Sequence, residues 1–490
     1  MYRDPQNGAM TMNPLWLAIH LPGLPLEANG LLSSPSAVVE QGRILVCDDA
    51  ARRAGVKAGT GVAAARALAP AITLVPRDTA REAAALHALA CWAGGFTPRI
   101  TLTSCALLLE VGGCLRLFGG LENLVAAVME GVRAQDFIAR IAAAPTALGA
   151  FWLAETETES GTAALCLDLS TLRQRLEALP IVVLPGKAAQ LLARFGASTL
   201  ADARKLPSAE LARRIGMDAV NLMARAFGDM PDPRPDFVFP DQFQLSLVLL
   251  APVETAAALL FAAHRLTSAL TGWLAARQAG LRELALRLLH RQDDTLVSLQ
   301  FADLTRDGAR IERVLRERLE RLLLKAPVES LRLEAADVVS LPGRNATLFD
   351  DADAARDAMN SLLERLRARL GDAQVYRLAL HADHRPECAT RHLSPAEKIE
   401  SSEQVSSPRP FWLLEKSEAL PEVNGRPHRR GPLKLLAGPE RIESGWWDGG
   451  EATGDVRRDY FVACSTDARW LWIYRECRAP GGWFLQGFFA

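Results

Sequence analysis

Apolar runs alternate with helical patterns through the first third of the chain. Leu15–Leu21 and residues 43–47 are apolar runs of strand length, and residues 79–95 form an alanine-rich helical pattern that stops at two glycines. Phe137–Ala144 continues as a strand pattern, and Thr146–Glu155 has helical spacing. This alternation predicts a mixed region in which short apolar strands form a buried sheet beneath helices.

The stretch from Leu102 to Gly120 carries the clearest pattern. Leu107–Leu109 are consecutive apolar residues, and Gly112-Gly113 follow them closely, which predicts a buried strand that ends in a turn, before a second apolar run. Many nucleotide-handling enzymes place metal-binding carboxylates on such a strand, because Mg²⁺ prefers hard oxygen ligands. Here the strand offers Ser104, Cys105 and Ala106 instead.

Short helices separated by tight turns are predicted between residues 179 and 230. Turns fall at Pro185-Gly186 and around Gly196, the arrangement of paired helix–hairpin–helix units. Backbone amides at such turns bind phosphate without reading base sequence, and Lys187 would add charge. A small helical packing module is the alternative interpretation of this segment.

Residues 242–337 follow a β-α-β-β-α-β order. The second helix interleaves arginines with glutamates between residues 310 and 321, which favours a solvated, salt-bridged face over a DNA-facing one. Beyond it, Asp351–Leu370 predicts a charged helix and residues 382–410 predict a polar linker. Residues 431–490 are dense in tryptophan and predict short strands, either as a small β domain or as a partner-binding tail.

Composition narrows the classes of function. The 490 residues, which suggest three or four domains, carry a net charge of −1, so any nucleic-acid binding must depend on local patches. Eight cysteines without a CxxC pair, no secretory signal and no long apolar span predict a cytoplasmic protein with reduced thiols and no membrane contact.

Neither a GxGxxG nor a GxxxxGK[ST] loop is present. A spacing of His and Cys that could suit zinc occurs without a second cluster, and no metal is predicted; its members are His381, His384, Cys388 and His392.

Over almost its full length the chain resembles the ImuB family, the Y-family DNA-polymerase-like subunit of a bacterial damage-induced mutasome. The motifs that carry the resemblance are LWLAIHLPGLPLEA (15–28), RAGVKAGTGVAAARALAP (53–70), FTPRITL (96–102), LLLEVGGCLRLFGG (107–120), APTALGAFWLAE (144–155), GPERIESGWWDGG (438–450), RDYFVA (458–463) and GGWFLQGFFA (481–490). The resemblance implies an α+β multidomain chain. Its expected parts are a tail (1–13), palm and fingers (14–175), a helix–hairpin–helix thumb (176–238), a βαββαβ little finger (240–340), a clamp-binding loop (341–350), a helix and linker (351–430) and a Trp-rich protein-interaction region (431–490).

The same resemblance implies that the polymerase site is vestigial. Active relatives carry Asp-x-Asp on the first palm strand and Asp-Glu on the strand after the fingers, and here these positions fall on His20, Pro22, Cys105 and Ala106. The fingers Tyr-x-x-Arg becomes Asp49 and Arg52, so Arg52 is the expected remnant of the nucleotide pocket. We therefore expect no polymerase activity and no cofactor. An active translesion polymerase with relocated ligands, with Glu110 as the nearest acid, remains the alternative.

The resemblance also implies partners. Asn345, Leu348 and Phe349 would form the motif that binds the β sliding clamp, and an exposed Leu-Phe pair is a natural anchor for a hydrophobic pocket. Trp446, Trp447 and Trp483 would contact ImuA and the α subunit of an error-prone C-family polymerase. Gly186, Lys187 and Gly196 would hold primer–template DNA without sequence preference. The expected function is that of an inactive adaptor in SOS-induced mutagenic translesion synthesis at the nucleoid; a plain DNA-binding module without a clamp role is a third hypothesis.

Overall fold

The computed structural model describes residues 14–29, 34–156, 163–341, 351–394, 409–445 and 455–489, and the backbone at 2–3 and 10–11. The chain forms two compact units, Met1–Arg369 and Leu370–Ala490. Within the described residues, the structure contains no helix that is both long and apolar enough to cross a membrane.

The first part of the first unit alternates strands and helices, as the apolar pattern predicts. Its elements are β1 (Tyr2–Arg3), β2 (Met10–Thr11), β3 (Trp16–His20), α1 (Leu24–Glu27), β4 (Ser36–Glu40), β5 (Arg43–Cys47), α2 (Asp49–Arg53), α3 (Val62–Leu68), β6 (Thr73–Pro76), α4 (Thr79–Ala93), β7 (Ile100–Leu102), β8 (Ala106–Glu110), α5 (Leu121–Arg133), β9 (Arg140–Ala144), α6 (Ala147–Thr156) and β10 (Ala164–Leu165).

Five of these strands form the central sheet, in the order β10-β9-β3-β8-β7. Leu17, Leu107 and Leu109 point to a core that α4 and α5 share, whereas Ala18 and Leu108 point to the opposite core under α6. Since successive strand residues face opposite sides, a sheet covered on both faces needs uninterrupted apolar strands. This explains the run of three leucines that dominates the sequence pattern.

A small second sheet, in the order β5-β4-β6, lies before α4 in the chain. Asp48 ends β5 and caps α2, because its carboxylate accepts the Ala51 N–H at 2.7 Å. The same carboxylate accepts the Ser36 N–H at 2.9 Å and so ties α2 to β4.

The helical segment, residues 169–226, follows the central sheet. It comprises α7 (Leu169–Glu177), α8 (Gly186–Arg194), α9 (Leu200–Arg204), α10 (Ser208–Ile215) and α11 (Met217–Ala226). Gly196 lies in the turn after α8 with φ +81°, and Gly216 joins α10 to α11 with φ +90°, conformations that glycine adopts without strain. Thr199 and Asp202 form a reciprocal capping box at the start of α9.

The third part, residues 243–341, has the βαββαβ order expected from the sequence; we call it the βαββαβ unit. Its elements are β11 (Phe243–Val253), α12 (Ala256–Ala276), β12 (Ala279–Leu289), β13 (Asp294–Thr305), α13 (Gly308–Leu319), β14 (Val328–Ala335) and β15 (Val338–Ser340), and α14 (Asp351–Leu370) follows. The strand order is β11-β14-β12-β13, with β15 paired to β12.

Helix α14 covers the outer edge of β13. Glu364 is 2% exposed, and its carboxylate accepts the Ala302 N–H at 2.8 Å. Arg310 of α13 donates to the same carboxylate from two nitrogens, at 2.5 and 2.8 Å. The arginine-rich face of α13 was predicted to be solvated, and for Arg310 that prediction is wrong. The sequence could not reveal that a later helix buries this side chain.

The second unit contains β16 (Arg377–Leu380), β17 (Thr390–Leu393), β18 (Trp412–Leu420), β19 (Glu422–Val423), β20 (Arg426–Pro427), β21 (Lys434–Ser444), β22 (Val456–Cys464), β23 (Trp470–Glu476) and β24 (Gly482–Phe488). Five strands form one antiparallel sheet in the order β18-β24-β23-β22-β21. The predicted linker and the boundary at residue 430 need correction, because β16, β17, β18 and the β19–β20 hairpin all lie before it.

Candidate functional site

The expected vestigial positions meet at one end of the central sheet. His20 is the last residue of β3, and it pairs with Ala106 of β8 on one side and with Arg140 of β9 on the other. Just beyond, the Leu21 N–H donates to the Cys105 carbonyl at 2.9 Å, which brings Cys105 beside the His20-Pro22 segment. Residues separated by more than 80 positions in the sequence are therefore neighbours here.

His20 is a buried, neutral side chain. It is 7% exposed and lies edge-on to the Phe151 ring, with 5.9 Å between ring centroids. Burial and, to a smaller extent, the positive charge of Arg140 together lower the pKa of His20 to about 4, although a hydrogen bond with the Ala154 backbone opposes the shift. Its Nδ1 is buried without a hydrogen-bond partner among the described residues. The neutral imidazole is a borderline nitrogen donor and not the hard oxygen ligand that Mg²⁺ prefers.

The remaining positions offer no hard oxygen ligand. Burial raises the pKa of the Cys105 thiol, and the negative charge of Glu155 contributes to the same shift, so the protonated form is favoured. Pro22 and Ala106 have no ligating side-chain atom. Across the described ranges, no group of three or more His, Cys, Asp or Glu side chains could hold a metal ion, and that includes the His-Cys spacing between residues 381 and 392.

Glu110 lies at the wrong end of its strand to replace the missing ligands. It pairs with Trp16, whereas Ala106 pairs with His20, four residues away along β8. At about 3.3 Å per residue, this separates the two positions by roughly 13 Å. The Glu110 carboxylate instead accepts the Gly112 N–H at 3.1 Å. Glu110 therefore lies away from the sheet end at which the resemblance places the metal ligands.

Sequence reasoning missed the two polar residues that do lie at the His20 end. Arg140 is directly opposite His20 in β9, and its guanidinium donates to the Glu155 carbonyl at 3.1 Å. Burial raises the pKa of the Glu155 carboxyl, and the negative charge of Glu155 acts on the Cys105 thiol. The signal for Arg140 was available, since it is a charged residue at the start of an otherwise apolar strand.

A cavity of about 670 Å³ lies beside this sheet end, between α2 on one side and β11 and α12 on the other. Its charged lining consists of four arginines and four acids, namely Arg52, Arg53, Arg140, Arg265, Glu27, Asp48, Asp49 and Asp136. The expected pocket remnant Arg52 already pairs with Asp49 at 2.6 Å. A triphosphate would need surplus positive charge, and this lining does not supply it.

Glu27 is the most perturbed acid of this lining. Its Oε1 accepts the Ile138 N–H at 3.2 Å, whereas its Oε2 is buried without a hydrogen-bond partner among the described residues. Burial raises the pKa of Glu27 to about 7, although Arg265 opposes the shift. Arg265 comes from α12 and stacks over Phe137 at 4.9 Å from the ring centroid. No sequence motif links these two residues, which are brought together only by tertiary packing.

The residues expected to contact DNA lie on the surface of the helical segment. Gly186 and Lys187 are the exposed first residues of α8, whose N-terminus has no side-chain cap. Arg214 of α10 stacks over Phe195, 4.7 Å from the ring centroid, beside exposed Gly196. Exposed cations and an uncapped helix start therefore share this region.

The expected clamp residues Asn345, Leu348 and Phe349 lie outside the described residues, as do Trp446 and Trp447. The expectation for Trp483 needs correction, because it is 6% exposed and packs in the core of the second unit, where a partner could not reach it. The exposed aromatic side chains of this unit are different ones. Phe411 is 84% exposed, Trp412 73% and Trp470 55%.

Comparisons with known proteins show which proteins this chain is similar to. Residues 25–153 match the model of the impB/mucB/samB family. Two curated proteins, both called Protein ImuB and from Caulobacter vibrioides strains NA1000 / CB15N and ATCC 19089 / CIP 103742 / CB 15, are each 28% identical over 477 residues. The match spans 89% of this chain and all of theirs. The predicted resemblance to the ImuB family is confirmed over most of the chain.

Solved structures with similarity to this chain include a Dbh ternary complex with partially disordered substrates. It is 17% identical with a TM-score of 0.38, over 65% of this chain and 98% of that one. DinB from Sulfolobus solfataricus gives the same identity and score, over 67% of this chain and 99% of that one.

Proposed function

We propose that this protein is a catalytically inactive, polymerase-like adaptor in damage-induced mutagenic translesion DNA synthesis. The observation that carries the proposal is the end of the central sheet, where His20, Pro22, Cys105 and Ala106 meet without a carboxylate among them. These are the positions at which the family resemblance places the metal ligands of active polymerases. The fold keeps its packing there and lacks the reactive groups.

The chemistry of phosphoryl transfer makes this loss decisive. Two metal ions must be held by hard oxygen ligands so that the attacking 3′ oxygen and the α-phosphate are aligned. A protonated thiol and a buried neutral imidazole are soft or borderline ligands, and they do not form a site for Mg²⁺. Acids do lie nearby, but among the described residues no group of three or more His, Cys, Asp or Glu side chains could hold a metal ion.

Primer extension with the purified protein tests this part of the proposal. With Mg²⁺ or Mn²⁺ and all four nucleotides, we expect no templated incorporation above that of a sample without protein. The matched variants are Glu155→Gln, at the sheet end, and Glu110→Gln, at the far end of β8. Incorporation that co-purifies with the protein and disappears in Glu155→Gln would show a relocated ligand and an active enzyme.

The adaptor role has three expected contacts. The helical segment would hold primer–template DNA through Gly186, Lys187 and Gly196, the segment with Leu348 and Phe349 would bind the β sliding clamp, and the second unit would recruit ImuA and the α subunit of an error-prone C-family polymerase. Support for the last contact comes from the exposed aromatic side chains of Phe411, Trp412 and Trp470, since buried aromatic anchors dominate protein interfaces.

A set of pull-down measurements separates these contacts. The double change Leu348→Ala with Phe349→Ala should abolish capture of the clamp and leave ImuA and the polymerase bound. Trp412→Ala should abolish capture of ImuA and the polymerase and leave the clamp bound. Leu117→Ala, which removes an 80% exposed side chain of the first unit, serves as the control and should change neither. Clamp capture that survives the double change would favour the plain DNA-binding module instead.

A further inference from the structure

Two helices from different parts of the first unit touch through their backbones. A Cβ atom added to Gly272 in the middle of α12 would lie 2.2 Å from the Trp92 carbonyl oxygen and 2.4 Å from that of Cys91, at the end of α4. Just after α4, a Cβ on Gly94 would lie 2.9 Å from the Gly272 carbonyl oxygen. Separations this short do not accommodate a side chain, so glycine at both positions permits the contact.

The chain segment that connects the helical segment to the βαββαβ unit is fixed on both sides of this crossing. The Phe237 N–H donates to the Ile100 carbonyl at 2.5 Å, and the Thr101 hydroxyl donates to the Pro235 carbonyl at 3.1 Å, so the segment lies along the edge strand β7. At its other end, the Trp273 indole N–H donates to the Pro240 carbonyl at 2.8 Å. A connection held in this way is not a free hinge.

The apolar interior is continuous through the crossing. Cys91 of α4 belongs to the core of the βαββαβ unit, together with fully buried Trp273. Phe237 and Phe239 pack against that core and also against the core of the central sheet. Separating the two parts would expose aromatic side chains and a buried thiol to water, which apolar surface strongly disfavours.

This docking also determines what can enter the cavity described above. Leu247, Val248 and Leu249 of β11 and Phe261 of α12 form its apolar wall opposite α2. Its volume of about 670 Å³ is that of a small-molecule pocket. A DNA duplex could enter the space between α2 and the βαββαβ unit only if that unit moved away.

We propose that the Gly272 crossing locks the βαββαβ unit against the central sheet in one pose, and that the protein engages primer–template DNA without opening the space between them. The lock is the backbone contact of α4 with α12, reinforced by the bound 235–240 segment. The inference is about movement, so it holds or fails whether or not the protein catalyses a reaction.

Thiol labelling provides the test, because the chain contains one buried cysteine at the crossing and another buried cysteine away from it. Cys91 lies at the crossing and is 3% exposed, whereas Cys166 is fully buried in the core beneath α6, away from it. In the full-length protein, alkylation followed by peptide mass spectrometry should label the two thiols at similar rates, both limited by global opening. Labelling of Cys91 at least about tenfold faster than Cys166 would show that the βαββαβ unit detaches by itself and would overturn the lock.

Two further labelling experiments test the same proposal. Saturating primer–template DNA should leave Cys91 labelling unaccelerated, and faster labelling with DNA would mean that binding opens the crossing, against the proposal. Gly272→Ala should accelerate Cys91 by at least about tenfold and leave Cys166 unchanged. The matched control is Gly113→Ala, because a Cβ there meets nothing within 4 Å. An unchanged Cys91 rate in Gly272→Ala would also refute the lock, and the wild-type comparison stands even if that variant fails to fold.

Discussion

The buried carboxylate of Glu364 is the contact that holds α14 on the βαββαβ unit. Its side chain is 1% exposed, that of Arg310 is 14% exposed, and the carboxylate also accepts the backbone N–H of Ala302 on the edge strand β13. Changing Glu364 to Ala removes this carboxylate from a guanidinium that is 14% exposed, and it removes the acceptor of the Ala302 amide. Breaking a buried ion pair by removing one partner costs roughly 3–5 kcal/mol.

We expect the lower end of this range, because Arg310 keeps some contact with solvent. Glu364→Ala should therefore lower the free energy of unfolding of the first unit by about 3 kcal/mol in urea titrations. Hydrogen exchange should show where the loss occurs, with protection falling in peptides that cover 294–305 and 358–370. The Ala302 amide would become exchangeable because the edge strand is no longer covered.

Arg369→Ala provides the matched comparison on the same helix. Arg369 pairs with Glu317 at 2.6 Å, but its side chain is 50% exposed, and exposed pairs contribute up to about 1 kcal/mol. Equal losses in Arg369→Ala and Glu364→Ala would refute the argument from burial. The combination of Arg310→Met with Glu364→Leu should be more stable than Glu364→Ala alone, because it leaves no buried charge behind.

Three other properties can be measured directly. The pKa of Glu27 is raised to about 7 from an ordinary value of 4.5, so the protonated carboxyl stabilises the fold at low pH and this stability is lost as pH rises through 7. Replacing the carboxyl in Glu27→Gln should therefore reduce the fall in the free energy of unfolding between pH 5 and 8 by about 3 kcal/mol. Asp49→Asn should release Arg52 from its ion pair and raise triphosphate affinity in calorimetric titrations, in which we expect no binding by the wild type. Lys187→Gln should weaken primer–template binding and lower the magnitude of the salt slope by about 1.

Each of these measurements has an exposed control. Glu122→Gln on α5 should leave the pH profile unchanged, and a wild-type profile that is flat from pH 5 to 8 would contradict the burial of Glu27. Asp218→Asn, at an exposed residue of α11, should not create triphosphate binding. If the wild type bound triphosphate as strongly as Asp49→Asn, the argument that the cavity lacks surplus positive charge would be contradicted. Lys434→Gln, in the second unit, should not alter the salt slope, and a slope equally unchanged in Lys187→Gln would remove α8 from the DNA contact.

Local pattern predicted much of the fold because the relevant signals are local. The helix at Asp351–Leu370 and the βαββαβ order follow from apolar spacing and turn residues, which lie within a few positions of one another. The meeting of His20 with Cys105 was expected from the family resemblance, and the strand register brings the two together. Spacing alone would not have paired these two strands.

Contacts between distant segments were not predictable in the same way. Glu364 is one of many charged residues in α14, and its burial depends on the position of Arg310 in another helix. Gly272 looks like a weak point of a helix, whereas the structure shows that its missing side chain permits the contact with α4. The family resemblance implied a partner contact for Trp483, but this residue lies in the core of the second unit. In each case the deciding partner lies far away in the sequence.

The position of β24 has a consequence for how the second unit is made. This strand is the last of the five to leave the ribosome, yet it lies inside the sheet, paired with β18 on one side and β23 on the other. Until residue 488 emerges, β18 and β23 each lack a neighbour, and the apolar side chains of β23 have an incomplete core. A nonsense mutation shortly before Gly482 would therefore remove two strand interfaces, and we expect its product to expose pairing edges and be degraded or aggregate.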